Sequence, residues 1–247
     1  MNIAVCYLLP LDNFAERFKT HANEWASTYK LFLPTIKHDV VIVFSNGVIN
    51  EEHKTIFNGI EFRSIEFNGG GWDIGAFQAS TKVLDYDFVV FMNARTYFWK
   101  EGWLERLVDA RQSRGEGLYG ASASYEFCSL WCRIGSGRNS HIRTSCFGCN
   151  PKILAEYPYL IDSREKSFEF ESGMWNFAQW FEDIGMNVMM VTWDGEYLKA
   201  DWRKPPNIFR RGDQSNCLVR DRHTRMYETA CATDKKVFEK CADIGSA

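Results

Sequence analysis

Short apolar runs alternate with amphipathic stretches over residues 2–192. The runs are rich in branched and aromatic residues, which favours strands, and the stretches between them have the apolar spacing of helices. Strands that alternate with helices usually form a mostly parallel sheet, because each crossover helix carries the chain back to the same end of the sheet. The order therefore predicts an α/β fold with a mostly parallel central sheet flanked by helices.

The pattern predicts six strands and five helices. The strands are expected at residues 3–9, 40–45, 60–67, 88–92, 118–122 and 188–192. The helices are expected at residues 13–32, 51–57, 74–84, 101–111 and 168–184. Gly185 follows the last of them and suits a helix C-terminus, since glycine readily adopts the left-handed conformation found there.

Composition and charge narrow the class of protein. The chain has 247 residues, of which 45% are apolar and 25% charged, as in ordinary globular domains. Its formal charge of −3 argues against broad nucleic-acid binding, which depends on many phosphate contacts from Lys and Arg. We expect no nucleic-acid partner.

The N-terminal residues MNIAVCYLLP lack the positive region and the cleavage site of a signal peptide. No apolar run reaches the length of a membrane span. These observations predict a cytoplasmic protein without a transmembrane segment, and peripheral association at the inner face of the membrane stays open. In that compartment the eight cysteines would be free thiols or metal ligands rather than disulfides.

A glycine-rich turn, FNGGGWDIGAFQAS at residues 67–80, joins a predicted strand to a predicted helix. Glycine permits close backbone approach, and the following helix N-terminus presents free N–H groups to a ligand. Gly70, Gly71, Trp72 and Asp73 are therefore candidate ligand-binding residues. The alternative is a tight turn in which Asp73 only caps the helix.

Polar residues follow the next predicted strand in the segment DYDFVVFMNARTYF, residues 85–98. In open α/β sheets, ligands bind beyond the carboxyl ends of the strands. Asn93 and Arg95 are therefore placed for binding, although Arg95 is equally compatible with an ordinary exposed strand end.

Four segments together, GGWDIGAF, DFVVFMNAR, FGCNPKIL and FESGMW, resemble the GT-A glycosyltransferases, particularly bacterial polysaccharide enzymes related to rhamnan-synthesis proteins. The resemblance covers about residues 2–192. It implies a Rossmann-like GT-A domain at residues 1–201, with residues 202–247 as a basic segment packed on it or closing over it. The implied activity is hexosyl-like transfer from a nucleotide sugar to a hydroxyl of a glycan or lipid-linked glycan, in surface polysaccharide, lipopolysaccharide or O-antigen synthesis.

The sequence departs from that family where it usually carries an Asp-x-Asp motif that binds a divalent metal. The corresponding residues here are Asn93, Ala94 and Arg95. An amide is a weaker ligand than a carboxylate for Mg²⁺ or Mn²⁺, and Arg95 would repel the cation. We therefore expect no required cofactor, with Arg95 neutralising the donor diphosphate through forked hydrogen bonds.

Two carboxylates occur in SFEFESGMWNFAQWFEDIG, residues 167–185. An inverting transfer needs a base that takes the proton of the acceptor hydroxyl. By resemblance, that base lies at the opening of this helix, so Glu171 is the first candidate and Glu169 the second, as alternate residues of an extended lead-in. Both are equally compatible with acidic residues favoured at a helix N-terminus.

Residues 203–225 concentrate seven basic residues against two acidic ones, a local charge of +5. Such a segment, predicted as a loop after the core, could bind a diphosphate in place of a metal. The candidate donor-binding residues there are Arg210, Arg211, Arg220, Arg222 and His223. A solvated loop with internal Arg–Asp pairs is the alternative.

Cysteine spacing supplies a competing hypothesis. Cys128, Cys132, Cys146 and Cys149 have the C-x3-C and C-x2-C spacing that could close a structural zinc site, although buried inert thiols are commoner. On the same stretch, His141 and Arg143 would face the acceptor side of the cleft if residues 141–147 form a strand.

Three other functions therefore remain as alternatives. They are a non-catalytic glycan- or nucleotide-binding module, a zinc-stapled interaction protein and a nucleotidyltransferase, although the last normally needs a carboxylate-bound metal. The sequence does not identify the donor, the acceptor or the stereochemical outcome.

Overall fold

The computed structural model describes residues 1–12, 14–126, 140–173 and 175–243. Its strands are β1 (Ile3–Pro10), β2 (Asp39–Ser45), β3 (Arg63–Phe67), β4 (Phe88–Met92), β5 (Gly117–Gly120), β6 (Ala123–Ser124), β7 (His141–Ile142), β8 (Cys146–Cys149), β9 (Asn187–Val191) and β10 (Glu196–Leu198). Its helices are α1 (Lys19–Leu31), α2 (Glu51–Thr55), α3 (Trp72–Ser80), α4 (Trp103–Arg114), α5 (Pro151–Ala155), α6 (Arg164–Ser172), α7 (Phe177–Asp183), α8 (Arg222–Thr229) and α9 (Ala232–Asp243). A π-helical turn at Phe14–Phe18 precedes α1.

Eight strands form the central sheet in the order β10-β9-β5-β8-β4-β1-β2-β3. The β4-β1-β2-β3 half is parallel throughout, and β5 and β9 are parallel to each other. Only β8 and β10 run against the common direction within the described part of the sheet. The predicted α/β class with a mostly parallel sheet is confirmed.

Burial on both faces of the sheet explains the continuous apolar runs. All eight residues of β1 are buried, and successive side chains contribute to two separate clusters. One cluster packs under α1 and α4, around Trp25 and Trp103, and the other packs under α3, α6 and α7. Helices therefore cover both faces, as parallel strands require.

Strands β6, β7, β8 and β10 and helix α5 have no counterpart among the six strands and five helices predicted, and two other predictions are wrong. The expected helix at residues 168–184 is two helices, α6 and α7, because Gly173 has an extended backbone and Asn176 caps a new helix with its side chain. The C-terminal segment, expected as a loop, contains α8 and α9, which were missed because prolines and charges dominate the residues before them. Gly185 does have the left-handed backbone predicted after α7.

The C-terminal segment packs back onto the core beside the carboxyl end of β4. Tyr97 and Arg220 form an antiparallel bridge, with hydrogen bonds of 2.8 and 3.1 Å in the two directions. The indole nitrogen of Trp99 donates to the carbonyl oxygen of Cys217 at 2.8 Å. These contacts bring the start of α8 next to the segment that follows β4.

None of the helices in the described ranges is both long enough and apolar enough to cross a membrane.

Candidate functional site

A cleft of about 200 Å³ opens at the carboxyl edge of the parallel half of the sheet. The ends of β1 and β2, the π-helical turn, the start of α3 and the turn after β4 all contribute to it. Its lining residues are Pro10, Asp12, Arg17, Phe18, Ser45, Asn46, Trp72, Asp73, Ala94 and Arg95. Charged groups of both signs thus converge where open α/β sheets place their ligands.

A larger hollow of about 440 Å³ lies behind the glycine turn, between α3 and residues 155–162. Its walls are mostly apolar and include Phe67, Tyr157 and Leu160. We take the smaller cleft as the candidate site because its titratable groups perturb one another, which is typical of functional sites.

The glycines of the turn are needed for packing. Gly71 caps α3 with a left-handed backbone, φ 79°. A methyl group at Gly70 would collide with the carbonyl oxygen of Asp162, and one at Gly71 with that of Ile161. The side chain of Ser167 on α6 donates to the carbonyl oxygen of Gly71 at 2.6 Å. The tight-turn interpretation therefore accounts for Gly70 and Gly71 by itself.

Trp72 has a left-handed backbone, φ 48°, which is rare for a bulky side chain. Its indole ring is 52% exposed at the mouth of the cleft. The Arg164 guanidinium lies over the ring, 4.6 Å from its centroid, and Phe168 meets it edge-on at 6.0 Å. Such strain is typical of residues whose position is set by a site rather than by local preference.

Asp73 lies in the first turn of α3 and lines the cleft. The alternative interpretation, in which Asp73 only caps the helix, is therefore wrong, because Gly71 is the N-cap residue. Burial raises the pKa of its carboxyl to about 6, and the negative charges of Glu171 and Asp12 add to the rise. The positive charge of Arg95 opposes it. The raised pKa places Asp73 in a group of interacting charges with Glu171 and Arg95.

The turn after β4 is organised by the side chain of Asn93. Its Oδ1 accepts hydrogen bonds from the backbone N–H of Arg95 at 3.0 Å and the Thr96 hydroxyl at 3.2 Å. Tyr7, fully buried in β1, donates from its hydroxyl to the carbonyl oxygen of Ala94 at 3.0 Å. Asn93 thus uses its amide oxygen to shape the turn that presents Arg95.

Asn93, Ala94 and Arg95 do not offer the oxygen ligands that a divalent metal prefers. The Asn93 oxygen has two donors already, and a guanidinium stands where a second carboxylate would be needed. Within the described ranges, no three His, Cys, Asp or Glu side chains are grouped so that they could hold a metal ion.

Three guanidinium groups concentrate positive charge at the cleft. Arg17 and Arg95 line it, and Arg222 lies at the start of α8 with an exposed side chain. Burial lowers the pKa of Arg95, and repulsion from Arg222 and Arg17 lowers it further. In the part of the chain that the structure describes, none of the three side chains forms an ion pair with a carboxylate.

The other basic residues predicted to bind the donor have partners on the core or within the C-terminal segment itself. Arg210 forms an ion pair with Glu126 at 2.6 Å, and Arg220 forms one with Glu228 at 2.8 Å. The Arg220 guanidinium also lies over the ring of Trp99, 4.1 Å from its centroid. Arg211 is close to the carbonyl oxygen of Arg203, at 3.5 Å. The structure thus brings only Arg222 of this set towards Arg95.

His223 follows Arg222 in the first turn of α8 and is partly buried. Burial lowers its pKa to about 4, and the charges of Arg143, Arg210 and Arg222 lower it further against the opposing effect of Asp221. Its imidazole is therefore neutral at pH 7 and adds no positive charge for binding a diphosphate. Its Nδ1 lies 3.2 Å from a guanidinium nitrogen of Arg210.

Glu169 and Glu171 lie in the last turn of α6, and neither opens a helix. The expectation that they share a face is wrong, because residues two apart on a helix point in nearly opposite directions. Glu171 Oε1 accepts from both the backbone N–H and the hydroxyl of Thr144, at 3.0 and 2.8 Å. Glu169 is exposed on the other side.

His141 and Arg143 do not lie on one continuous strand, since residues 141–147 comprise β7, a connection and the start of β8. His141 is buried in the β6–β7 pair. Arg143 is buried and bonded to Asp221 at 2.8 Å, with its guanidinium 3.8 Å from the centroid of the Phe209 ring. Neither side chain is among those lining the cleft.

The zinc hypothesis fails for its second cysteine pair. Cys146 and Cys149 are three residues apart on β8, so they point to opposite faces of the sheet and belong to separate buried clusters. Burial also raises the pKa of both thiols far above the usual range, which disfavours the thiolates that zinc binds. Cys128 and Cys132 lie outside the described residues.

Asp12, Arg17 and Thr144 were given no role from the sequence. Asp12 follows the strand predicted at residues 3–9, so the rule that ligands gather at the carboxyl ends of strands would have found it. Arg17 lay within the helix predicted at residues 13–32, where a basic residue gives no such signal. Thr144 offered no comparable signal, because its hydrogen bonds to Glu171 join residues 27 apart in the chain.

No protein-family model matches the chain, and no curated protein is similar to it in sequence. Mouse xyloside xylosyltransferase 1, in its apo form, is similar in structure with a TM-score of 0.45 at 9% identity, over 75% of this chain and 82% of that one. S. aureus TarS 1–349 has a TM-score of 0.45 at 11% identity, over 68% and 53% of the two chains. A CMP:2-keto-3-deoxy-manno-octonic acid synthetase with CTP has a TM-score of 0.48 at 6% identity, over 75% and 87%. At these values the likeness carries no argument about activity.

Proposed function

We propose that the chain is a glycosyltransferase that moves a sugar from a nucleotide-sugar donor to a hydroxyl of a glycan. One observation carries the proposal, the cleft at the ends of β1, β2 and β4 where Arg17 and Arg95 have no carboxylate partner among the described residues. A nucleoside diphosphate supplies the negative charge that such guanidinium groups bind through forked hydrogen bonds. The GT-A-like motifs at the glycine turn and β4 support the same assignment.

In the proposed reaction the donor diphosphate lies against Arg95 and Arg17, with Arg222 on its open side. The acceptor hydroxyl oxygen forms a bond to the anomeric carbon as the bond from that carbon to the diphosphate breaks. The bonding pair leaves with the diphosphate, whose growing charge the guanidinium groups stabilise. Glu171 takes the hydroxyl proton, and the anomeric centre is inverted. Surface polysaccharide or O-antigen synthesis is the proposed setting, without a required metal.

Replacement of Glu171 by Gln tests the base. Glutamine keeps an oxygen that can accept from Thr144 but cannot take the proton, so kcat should fall by about 10²- to 10⁴-fold. Nucleotide affinity should be retained, because Glu171 is not among the residues lining the cleft. Steady-state kinetics and calorimetric titration of the nucleotide measure the two effects separately.

Glu169→Gln is the matched control, since Glu169 lies in the same last turn of α6 as Glu171 but on the opposite side of the helix. It should leave kcat within about twofold of wild type. Full activity of Glu171→Gln would remove the base assignment. A wild-type protein that binds nucleotide sugars but transfers nothing to any glycan acceptor would instead support the non-catalytic binding module.

A further inference from the structure

Residues 143–145 connect β7 to β8 and are buried or nearly so between the two halves of the candidate site. We call this segment the β7–β8 connector. Each of its three residues bonds to a different element: Arg143 to the start of α8, Thr144 to α6 and Ser145 to the turn after β4. One short segment thus bonds to the three elements that carry Glu171, Arg95 and Arg222.

Thr144 holds one oxygen of Glu171. Its backbone N–H and its hydroxyl both donate to Oε1, at 3.0 and 2.8 Å. Among the described residues, nothing donates a hydrogen bond to the other oxygen, Oε2. A carboxylate anchored in this way keeps a fixed direction, with Oε2 left to accept a proton.

Ser145 holds the turn that presents Arg95. Its carbonyl oxygen accepts from the backbone N–H of Asn93 at 3.1 Å and from the hydroxyl of Thr96 at 2.7 Å. Thr96 and Ser145 are both buried, so these bonds are shielded from competing water. The turn is therefore tied to the same segment as Glu171.

Arg143 holds the start of α8. Its guanidinium donates to Oδ2 of Asp221 at 2.8 Å, while Oδ1 of the same carboxylate caps the helix by accepting from His223 N–H at 2.8 Å and Thr224 N–H at 3.0 Å. Arg222 is the first residue of that helix. The ion pair therefore anchors the helix start that carries Arg222.

We propose that the β7–β8 connector is a positioning segment that sets two halves of the site independently. In the first half Thr144 orients the base, Glu171, and in the second half Arg143 orients the helix start that carries the donor-binding Arg222. The proposal rests on the transfer reaction proposed above. Neither residue touches the reacting atoms, so each should act through its partner. The two halves should therefore respond to different substitutions.

Thr144→Val tests the first half, because valine keeps the size of the side chain and the backbone N–H but loses the hydroxyl. The expected result is a fall in kcat of about tenfold, with the donor KM within about twofold of wild type. Thr144→Ser restores the hydroxyl and should bring kcat back to within about twofold. Thermal unfolding of each variant shows whether the fold is retained.

Asp221→Asn tests the second half, because asparagine keeps the oxygen that caps α8 and removes the charge that binds Arg143. The donor KM and the nucleotide Kd should rise by about fivefold or more, with kcat within about twofold. The opposite split between kcat and KM in the two variants is the result that a general loss of stability would not give.

Two outcomes would overturn the proposed role of the connector and leave the proposed function intact. Either the two variants change kcat and KM in parallel, or an active wild type and Thr144→Val have the same kcat. A wild-type protein that neither binds a panel of UDP, GDP, dTDP and CMP compounds nor transfers sugar would overturn the proposed function, and the connector's role with it. Nucleotide titration of the wild type separates these cases before any variant is made.

Discussion

Single side chains determine the chemistry of the cleft, and Arg95 is the one whose proposed role can be tested most directly. It is half-buried, its guanidinium has no carboxylate within ion-pair distance among the described residues, and two further cations repel it. Retaining a partly buried cation against such repulsion is costly for folding unless a ligand compensates. A bound diphosphate would supply that compensation.

Arg95→Ala should raise the Kd for a nucleoside diphosphate by about 10- to 100-fold, which corresponds to the loss of a charge-assisted hydrogen bond. The measurement is calorimetric titration at fixed ionic strength. Arg114→Ala is the control, because Arg114 lies on α4 away from the cleft and is paired with Glu196 at 3.0 Å. Equal affinity of Arg95→Ala and wild type would contradict the assignment.

The charge of the cleft depends on pH through the titration of Asp73. Its pKa in the folded protein is about 6, above the usual value of 3.8, so the folded state holds the proton over a range where the unfolded state has released it. Stability therefore falls as pH rises from about 4 to about 6. Above about pH 6 the loss of stability is complete.

Asp73→Asn removes this penalty and nearly keeps the shape of the side chain. Relative to wild type, the variant should gain about 1 to 2 kcal/mol in free energy of unfolding between pH 4 and pH 7, a figure reduced for partial solvent access. Denaturant unfolding at a series of pH values measures the difference. A difference that is the same at pH 4 and pH 7 would show that Asp73 does not titrate in this range.

At the scale of elements, close packing fixes the glycine turn against the segment that precedes α6. Gly70 and Gly71 meet the backbone of Asp162 and Ile161, and the hydroxyl of Ser167 completes the contact. This contact sets the start of α3, and with it Trp72 and Asp73, relative to α6 and Glu171. The turn therefore affects the site by fixing the positions of these side chains.

Gly70→Ala should lower the free energy of unfolding by about 2 kcal/mol or more, because the new methyl group displaces backbone atoms. The matched variant is Gly185→Ala, at a left-handed glycine (φ 79°) whose added methyl group would have nothing within 4 Å. It should cost only about 1 kcal/mol of backbone strain. Urea unfolding of both variants distinguishes the contributions, and equal losses would mean that the turn relaxes freely.

For the molecule as a whole, the distribution of positive charge is uneven. The net charge is −3, yet the cations from the π-helical turn, the turn after β4 and α8 meet at one edge of the sheet. Their convergence depends on the packing of the C-terminal segment against Tyr97 and Trp99.

Nucleotide binding should therefore be independent of divalent metal. The rise in melting temperature that a saturating nucleoside diphosphate produces should be the same with EDTA as with Mn²⁺, since ligand binding to the native state stabilises it in proportion to affinity. Differential scanning fluorimetry measures it, with the protein alone in each buffer as the control. A shift seen only with Mn²⁺ would show that a metal binds with the nucleotide.

Much of the fold followed from local patterns. The apolar runs of β1, β2, β4 and β9 are buried on both faces of the sheet, so their sequence alone identified them within about two residues. The break between α6 and α7 was missed, because it depends on a cap from Asn176 that competes with a continuous helical pattern. The helices α8 and α9 were missed because prolines and charges dominate the segment before them.

The sequence by itself determined the α/β class, the ends of β1, β2, β4 and β9, and the unusual residues that follow β4. Only the tertiary structure decided which charges meet there. Arg17, Arg95 and Arg222 come from three distant segments, Thr144 reaches Glu171 across 27 residues, and Cys146 and Cys149 separate onto opposite faces. The hydrophobicity and the periodicity of a segment can be read from neighbouring residues, whereas the partner of a charge depends on how distant segments pack.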